Sequence, residues 1–299
     1  MKDGQFQGAF VALGTFDGLH IGHKAVITSE KTEYEKKIAL MFNVHPQLLL
    51  TGINPGRLST SRKEKEILYS WGVTPEYIDF KSISVLSPKE FVDEILVNKY
   101  NAKSVACGFN YRFGKNASGD VETLKRLCAE REIKLTVVDE IDYGGEAVSS
   151  TRIRKAIADG DMKSAKDMLG RYFSFDFEVL HGDERGRILG SPTINQFFSE
   201  DFQVPEFGVY ASFTCVDGKY YPSVTNIGIR PTIGNSEKRS ETNIIGFEGN
   251  LYGKFPEVFI VEKIRGEMQF NSLDELSSQI ATDREKAKEI LKGVVEYDF

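Results

Sequence analysis

Cysteine is scarce in this chain, and its scarcity excludes one class of protein. The 299 residues contain three cysteines, Cys107, Cys128 and Cys215, which are scattered and odd in number. Small secreted domains that depend on disulfides carry more cysteines, in even numbers. The three thiols are therefore predicted to be reduced and buried in a cytoplasmic protein.

The sequence also lacks a long apolar run. Its longest stretch without a charged residue, residues 38–56, contains Asn43, His45 and two prolines. A membrane-spanning helix needs roughly 20 mostly apolar residues. No apolar signal segment is present near residue 1. We expect no association with a membrane and a cytoplasmic location.

An excess of positive charge is missing as well. The net charge is −6, from 38 basic and 44 acidic residues, and the acidic excess falls in the second half of the chain. Nucleic-acid binding depends on basic surface that contacts phosphates. The composition therefore argues against nucleic acid as a partner and favours small-molecule substrates. Self-association is compatible with this composition but is not predicted by it.

The most informative motif occupies residues 14–23, which read Gly-Thr-Phe-Asp-Gly-Leu-His-Ile-Gly-His. An apolar strand-like run precedes it and a helix-like segment follows, so the motif is predicted to form a strand-to-helix turn. A helix N-terminus attracts anions, and imidazoles can stabilise charge that builds on phosphate oxygens. His20 and His23 are therefore candidate catalytic residues. The alternatives are a metal-binding pair or histidines packed in the core.

Four further residues of this turn are candidates for binding the phosphates of a nucleotide: Gly14, Phe16, Asp17 and Gly22. The glycines allow a tight turn and a close approach of the backbone to a ligand. Packing is the more ordinary explanation for Phe16. Asp17 suits a turn and a nucleotide contact equally well.

Strand-like and helix-like segments alternate through the first half of the chain. The predicted strands are residues 9–13, 38–42, 76–80, 103–107 and 135–138. This alternation predicts an α/β, Rossmann-like domain with a parallel sheet. Ligands of such sheets bind beyond the carboxyl ends of the strands, where the histidine turn, His45 and the loop 108–114 follow.

A second phosphate-binding candidate is Ser149-Ser150-Thr151-Arg152-Ile153-Arg154, predicted to open a helix that ends at Gly160. Helix N-terminal N–H groups and arginine side chains both suit phosphate oxygens. Ser150, Thr151, Arg152 and Arg154 are the candidate ligands. The alternative is a capped helix with a solvated basic face.

These two motifs resemble those of the bacterial FAD synthetases, within the nucleotidyltransferase superfamily. The pattern Gly-x-Phe-Asp-Gly-x-His-x-Gly-His matches residues 14–23, and Ser-Ser-Thr-x-Ile-Arg matches residues 149–154. The resemblance implies that the second segment binds the phosphates of ATP opposite the histidine pair.

Short strand-like runs with glycine-rich turns follow Tyr172. The candidates are residues 173–180, 208–215, 220–227 and 257–263. They predict a small, closed antiparallel β-barrel. Ser272 and Glu275 form a capping box that opens a C-terminal helix. We therefore expect two domains, residues 1–172 and 173–299.

Two features of this half suggest phosphoryl transfer. Thr193 and Asn195 lie two apart on an extended segment and supply neutral oxygens that suit Mg²⁺. Glu241 is a candidate general base beside a strand-like segment at residues 242–247. Because charged residues precede Glu241, a solvated loop is the more ordinary interpretation.

The second half resembles riboflavin kinase along its length. The matching segments are Gly186–Asn195, Pro205–Ala211, Asn226–Thr232, Glu241, Leu251–Gly253 and Ile264–Glu267. The whole chain thus resembles the bifunctional bacterial riboflavin kinase/FMN adenylyltransferase family. The resemblance implies that Thr193 and Asn195 hold Mg-ATP and that Glu241 deprotonates the ribityl hydroxyl of riboflavin. It also assigns ATP or flavin binding to Gly186, Gly190, Pro192, Asn226 and Arg230.

Four positions depart from the family pattern: Thr15, Asn110 with Tyr111, Asp176 and Ile194. None is a predicted catalytic residue. The expected activities are ATP-dependent phosphorylation of riboflavin to FMN and adenylylation of FMN to FAD with release of pyrophosphate. The alternatives are an adenylyltransferase for another phosphate ester and a flavin-binding regulator without catalysis.

Overall fold

The computed structural model describes residues 6–181, 193–232 and 235–294. The chain forms two compact units, and it passes between them three times. The first unit comprises the chain up to Pro55 together with Ser61–Ser149, and the second comprises Gly56–Thr60 together with the chain from Ser150 onward. A functional boundary after residue 172 stays a prediction, because compactness alone does not assign activities.

The first unit is built on a five-stranded parallel sheet with the order β3-β2-β1-β4-β5. Its strands are β1 (Phe6–Leu13), β2 (Tyr34–Phe42), β3 (Thr74–Ile78), β4 (Ala102–Gly108) and β5 (Lys134–Val138). The predicted Rossmann-like arrangement is confirmed. The third strand lies two residues earlier than the predicted residues 76–80, because the Asp79 side chain caps a helix that begins at Phe80.

Helices and turns connect these strands: α1 (Ile21–Ile27), α2 (Pro46–Thr51), α3 (Ser61–Ser70), α4 (Phe80–Ser84), α5 (Pro88–Glu90), a π-helix (Phe91–Lys99), a 3₁₀ turn (Lys115–Ala117), α6 (Val121–Ala129) and a hairpin of β6 (Asp142–Tyr143) and β7 (Glu146–Ala147). Ser87 and Glu90 form a capping box at the start of α5, with both of its hydrogen bonds present.

Both faces of the parallel sheet are buried. Val11 and Leu13 of β1 pack into one apolar cluster, whereas Phe10 and Ala12 pack into a second cluster. Side chains alternate between the faces of a strand, so each face has its own layer of helices. The continuous apolar run of β1 is therefore explained by burial on both sides.

The buried carboxylate of Glu30 links β4 and β5 of the parallel sheet through hydrogen bonds. Glu30 accepts hydrogen bonds from the Ser104 hydroxyl at 2.9 Å, the Lys134 ammonium at 2.9 Å and the backbone N–H of Thr32 at 2.9 Å. Burial alone would raise the pKa of Glu30. The hydrogen bonds outweigh this effect, with the largest contribution from Lys134, and lower the pKa from 4.5 to about 2. The ionised carboxylate thus stabilises the fold.

We expect Glu30→Gln to destabilise the first unit at neutral pH by about 3 kcal/mol, since each pKa unit corresponds to about 1.4 kcal/mol. Because the folded-state pKa is depressed, the stabilisation is present above pH 4.5 and is lost as the pH falls towards 2. The variant and the natural protein should therefore converge in acid. Trp71, the single tryptophan, lies in this unit and reports its unfolding by fluorescence.

Glu33→Gln is the matched control for this prediction. Glu33 is 75% exposed and pairs with Lys37, so its loss should cost less than about 1 kcal/mol. An equal effect of the two substitutions, or a Glu30→Gln effect that does not change with pH, would contradict the assignment.

The second unit contains a seven-stranded sheet with the order β8-β14-β11-β12-β13-β10-β9, in which neighbouring strands run antiparallel. Its strands are β8 (Phe173–Phe175), β9 (Val179–Leu180), β10 (Thr193–Phe197), β11 (Gly208–Val216), β12 (Lys219–Thr232), β13 (Asn235–Ile244) and β14 (Glu257–Arg265). Its helices are α7 (Ser150–Ala158), α8 (Met162–Leu169) and α9 (Leu273–Leu291). Among the helices of the described residues, none is both long and apolar enough to cross a bilayer.

The sheet is strongly curled, because its two edge strands, β8 and β9, are consecutive parts of one short segment. β8 pairs with β14 at one edge, β9 pairs with β10 at the other, and only residues 176–178 separate them. The four Cα steps from Phe175 to Val179 span about 14 Å at most, so the two edges must lie close together. The buried amide of Gln196 donates to the carbonyl oxygens of Phe177 and Pro256 at this junction. The predicted barrel is confirmed as a curled, barrel-like sheet, although residues 173–180 form two strands rather than one.

The interior of the curled sheet is unusually polar. Ser212, Thr225 and Thr242 lie on adjacent strands, are fully buried, and join through hydroxyl hydrogen bonds of 2.7 and 3.0 Å. A buried hydroxyl is tolerated when it is hydrogen-bonded. This row fixes the register of three central strands from inside.

Residues 56–60 are bound within the second unit by several hydrogen bonds. The Arg57 N–H donates to the Asp201 carbonyl, and the Arg57 carbonyl accepts from the Gln203 N–H. The Thr60 hydroxyl donates to the Asp176 carboxylate at 2.5 Å. Asp176 departs from the family pattern, and this contact gives it a structural role.

An ion pair fixes helix α9 against the sheet. Arg265, at the end of β14, donates from Nη2 to Asp283 Oδ2 at 2.8 Å, and Gln279 donates to Oδ1 at 2.8 Å. The Asp283 side chain is 3% exposed, so these hydrogen-bond donors stabilise its negative charge in place of water. Ala287 and Leu291 of the same helix pack against Ala211 of β11.

We expect Asp283→Ala to destabilise the second unit by about 3 kcal/mol, because removing one partner leaves the other charge without compensation. Lys288→Ala is the control, since Lys288 and Glu285 form an exposed pair on the same helix. Chemical denaturation followed by circular dichroism should show the loss. A shift confined to Trp71 fluorescence would contradict it, because Trp71 belongs to the first unit.

Candidate active sites

The histidine loop joins β1 to α1 and is held in an uncommon backbone conformation. Phe16 and Leu19 have positive φ values of 53° and 44°, and Gly18 has 79°. Positive φ is costly for residues with a Cβ, and it persists where packing enforces it. Phe16 and Leu19 are both buried, with exposures of 1% and 0%. The loop is therefore fixed by its own apolar side chains.

The glycines of this loop are required by close contacts. A Cβ on Gly14 would lie 2.7 Å from the Phe16 ring, and a Cβ on Gly22 would lie 3.1 Å from the His20 ring. Both residues let neighbouring rings pack closely in the loop. Asp17 is also buried, at 7% exposure. The proposed nucleotide contacts of Gly14, Phe16, Asp17 and Gly22 stay predictions.

The two histidines lie together. Their rings stack with centroids 3.5 Å apart and planes inclined by 19°, and the Phe16 ring meets His23 edge-on at 5.3 Å. His20 precedes α1 as its N-cap, and its Nδ1 accepts the His23 backbone N–H at 3.3 Å. In a neutral imidazole this leaves the proton on Nε2. The neutral His20 ring therefore has one defined tautomer.

The second phosphate-binding candidate forms the start of α7, as predicted. Ser150 is the first helical residue, and the chain turns at Gly160 with φ of 74°. Arg154 donates from Nε to the Gly56 carbonyl at 2.7 Å, while Thr151 is exposed and Arg152 is partly buried. α7 belongs to the second compact unit, whereas the histidine loop belongs to the first.

The candidate kinase residues come together on one face of the curled sheet. Asn195 of β10 lies directly opposite Glu241 of β13, and Glu241 lies directly opposite Asn226 of β12. Opposite residues of an antiparallel pair share a face. Thr193 lies two residues from Asn195 and on the same face. These residues form a polar row across three adjacent strands.

Glu241 lies within a strand, which corrects the prediction. The charged residues before it suggested a solvated loop and placed the strand at residues 242–247, but β13 begins at Asn235 and ends at Ile244. Pairing with β12 and β10 overrides the weak strand propensity of this polar segment. Glu241 is 33% exposed, and its Oε1 lies 2.5 Å from Nη2 of Arg239.

Arg239 and Asn243 are candidate site residues that were missed from the sequence. They flank Glu241 at a spacing of two and therefore share its face. The period-two alternation of Arg239, Glu241 and Asn243 was the available signal. It becomes visible only once the segment is recognised as a strand.

Four further residues were predicted to bind ATP or flavin in the kinase half. Gly186, Gly190 and Pro192 lie outside the described residues. The backbone of Arg230 belongs to β12, where it pairs with Glu237. Their proposed roles in binding ATP or flavin stay predictions.

The residues on the polar row suit a magnesium ion that is bound mainly through nucleotide phosphates. Asn195 is buried, and its Oδ1 has no hydrogen-bond partner within the described residues. Such an orphaned oxygen beside Thr193 is a suitable ligand for a hard cation. Within residues 6–181, 193–232 and 235–294, no cluster of three or more His, Cys, Asp or Glu could hold a metal by itself. The metal-binding alternative for the histidine pair gains no support.

Two family models match successive parts of the chain. The model described as FAD synthetase matches residues 2–152, and the model described as riboflavin kinase matches residues 169–291. Their order agrees with the order of the histidine loop and the polar row.

The relatives extend over nearly the whole chain. A bifunctional riboflavin kinase/FMN adenylyltransferase from Escherichia coli K12 is 33% identical and covers 95% of this chain and 93% of its own length. The Listeria monocytogenes protein of the same description is 33% identical, covering 93% and 91%. A crystal structure described as a macrolide-efflux protein from Streptococcus pneumoniae superposes with a TM-score of 0.85 at 27% identity, covering 95% and 99%.

The two family models and the full-length relatives name the same two activities. The two models follow each other in the same order as the histidine loop and the polar row. The chain therefore belongs to the bifunctional riboflavin kinase/FMN adenylyltransferase family.

Proposed function

We propose that the curled sheet of the second unit performs the kinase reaction and that the histidine loop performs adenylyl transfer. The chain converts riboflavin and ATP to FMN, and then FMN and a second ATP to FAD. The observation that carries the kinase assignment is the row Asn195, Glu241 and Asn226. It supplies a carboxylate flanked by two amides on one face of the sheet.

Glu241 is the proposed general base of the kinase reaction. Its carboxylate accepts the proton of the primary hydroxyl at the end of the ribityl chain. The hydroxyl oxygen bonds to the γ-phosphorus of ATP, the bond from this phosphorus to the bridging oxygen breaks, and ADP leaves. Positioning contributes most to such a transfer, which suits residues held on paired strands.

Thr193 and Asn195 are the proposed protein ligands of Mg²⁺. Bound Mg²⁺ would offset the negative charge of the ATP phosphates. The buried, unpartnered Oδ1 of Asn195 supports this role. Asn226 flanks Glu241 from the other side and is proposed to orient the flavin hydroxyl or the nucleotide.

His20 and His23 are the proposed catalytic residues of adenylyl transfer. An oxygen of the FMN phosphate bonds to the α-phosphorus of ATP, and pyrophosphate leaves. Imidazole N–H donors stabilise the negative charge on the oxygens around this phosphorus. The fixed tautomer of His20 and the packed ring of His23 support such a preorganised role.

The start of α7 is proposed to bind ATP phosphates. Ser150, Thr151, Arg152 and Arg154 offer hydroxyl, guanidinium and helix N-terminal N–H donors. The hydrogen bond from Arg154 to Gly56 supports a fixed position for that guanidinium. No covalent intermediate with the protein is required.

We also propose a cytoplasmic location. Cys107, Cys128 and Cys215 carry no disulfide, and burial raises the pKa of Cys107 to about 12, so this thiol stays protonated and inert. Efflux, the activity named for the Streptococcus pneumoniae protein, is not part of the proposal, because both family models name flavin nucleotide synthesis.

One chromatographic assay tests the proposal. Purified protein is mixed with riboflavin, ATP and Mg²⁺, and the flavins are separated over time. FMN followed by FAD is expected. FAD formation from FMN without FMN formation from riboflavin would favour the adenylyltransferase alternative, and flavin binding without turnover would favour the regulator.

We expect His23→Ala to reduce FAD formation by about 10²- to 10³-fold, the effect of removing one preorganised donor. Formation of FMN from riboflavin should stay within twofold of the natural protein, which provides the internal control for folding. Initial rates in the chromatographic assay give both numbers. An equal fall of both activities would contradict the assignment of the two reactions to the histidine loop and the polar row.

We expect Glu241→Ala to reduce FMN formation by about 10²- to 10⁴-fold, the usual contribution of a general base. FAD formation should persist when FMN is supplied. Glu248→Ala, at an exposed position beyond β13, is the matched control and should leave both activities intact. Full kinase activity in the Glu241 variant would exclude Glu241 as the base.

A further inference from the structure

We propose that Arg239 is a positioning residue for the kinase reaction, acting through Glu241. The inference rests on the proposed role of Glu241 as the general base. Arg239 and Glu241 alternate along β13, so their side chains project from the same face. Nη2 of Arg239 lies 2.5 Å from Oε1 of Glu241.

The ion pair is more enclosed than an ordinary surface pair. The Arg239 side chain is 14% exposed, whereas Glu241 is 33% exposed. An enclosed guanidinium loses little further freedom when it holds a carboxylate, and its planar group has several donors in a fixed geometry. Arg239 is thus the ordered partner, and Glu241 is the partner that reaches towards solvent and substrate.

The register explains how Arg239 fits beside Glu241. Gly228 of β12 lies directly opposite Arg239 and has no side chain to compete for the space. A Cβ on Gly228 would lie 2.8 Å from Oε1 of Glu267, so this second carboxylate occupies the space above the glycine. The glycine thus leaves room on this face for the side chains of Arg239 and Glu267.

This arrangement divides the two oxygens of Glu241 between different tasks. Arg239 engages Oε1, so Oε2 is the oxygen that would accept the hydroxyl proton. A carboxylate can accept hydrogen bonds at both oxygens at once. Without Arg239 the side chain of Glu241 could rotate, and errors of about 1 Å in position can cost about 10² in rate.

The test compares Arg239→Gln and Arg239→Lys with the natural protein. We expect Arg239→Gln to lower kcat for FMN formation by about 10- to 100-fold, with the KM for riboflavin and for ATP changed by less than about threefold. Arg239→Lys should recover part of the loss, since it keeps the charge without the planar group. FAD formation from supplied FMN should be unchanged.

Lys263→Gln is the matched control. Lys263 pairs with Glu206 at 2.6 Å on β14 of the same sheet, so it also loses a cation from an ion pair. Its kinase activity should equal that of the natural protein. A comparable loss in this variant would show that Arg239 acts only through general stability.

A double-variant comparison separates positioning from direct binding. If Arg239 acts through Glu241, then Arg239→Gln should have no further effect in the Glu241→Gln background, within about twofold. Effects that multiply, or a raised KM for ATP with unchanged kcat, would overturn the positioning role. Full kinase activity of Glu241→Gln would overturn the general base itself, whereas an inactive Glu241→Gln with an active Arg239→Gln would overturn only this inference.

Discussion

The curl of the antiparallel sheet depends on residues 173–180, which pair with both edges of the sheet. Residues 173–175 pair with β14, residues 179–180 pair with β10, and the amide of Gln196 bridges the carbonyl oxygens of Phe177 and Pro256. Gln196 is fully buried, so these hydrogen bonds form where water cannot replace them. The position of β10 follows from this closure.

The active face of the second unit follows from the position of β10. Because β10 pairs with β13, and β13 with β12, Asn195, Glu241 and Asn226 fall in one row. A shift of β10 or β12 by one residue would move Asn195 or Asn226 to the opposite face of the sheet. The hydroxyl hydrogen bonds of Ser212, Thr225 and Thr242 fix the register of β11, β12 and β13 on the buried face. The same strand pairing places the polar row on the opposite face of the sheet.

The parallel sheet of the first unit was predictable because β1 and β2 contain continuous apolar runs and strand-like segments alternate with helix-like ones. The histidine loop was also predictable from spacing, although the stacking of His20 on His23 depends on the buried rings around them. β13 was not predictable in the same way. Its residues are polar and charged, and they form a strand only because two neighbours supply backbone partners. Arg239 was missed for this reason.

The path of the chain has a consequence for modularity. The second unit takes residues 56–60 from within the first half and resumes at Ser150. Those five residues are bound by hydrogen bonds to Arg154, Arg171, Asp176, Asp201 and Gln203. No single cleavage of the polypeptide can therefore release both units whole. A gene split at one point would leave one product without a piece of its own structure.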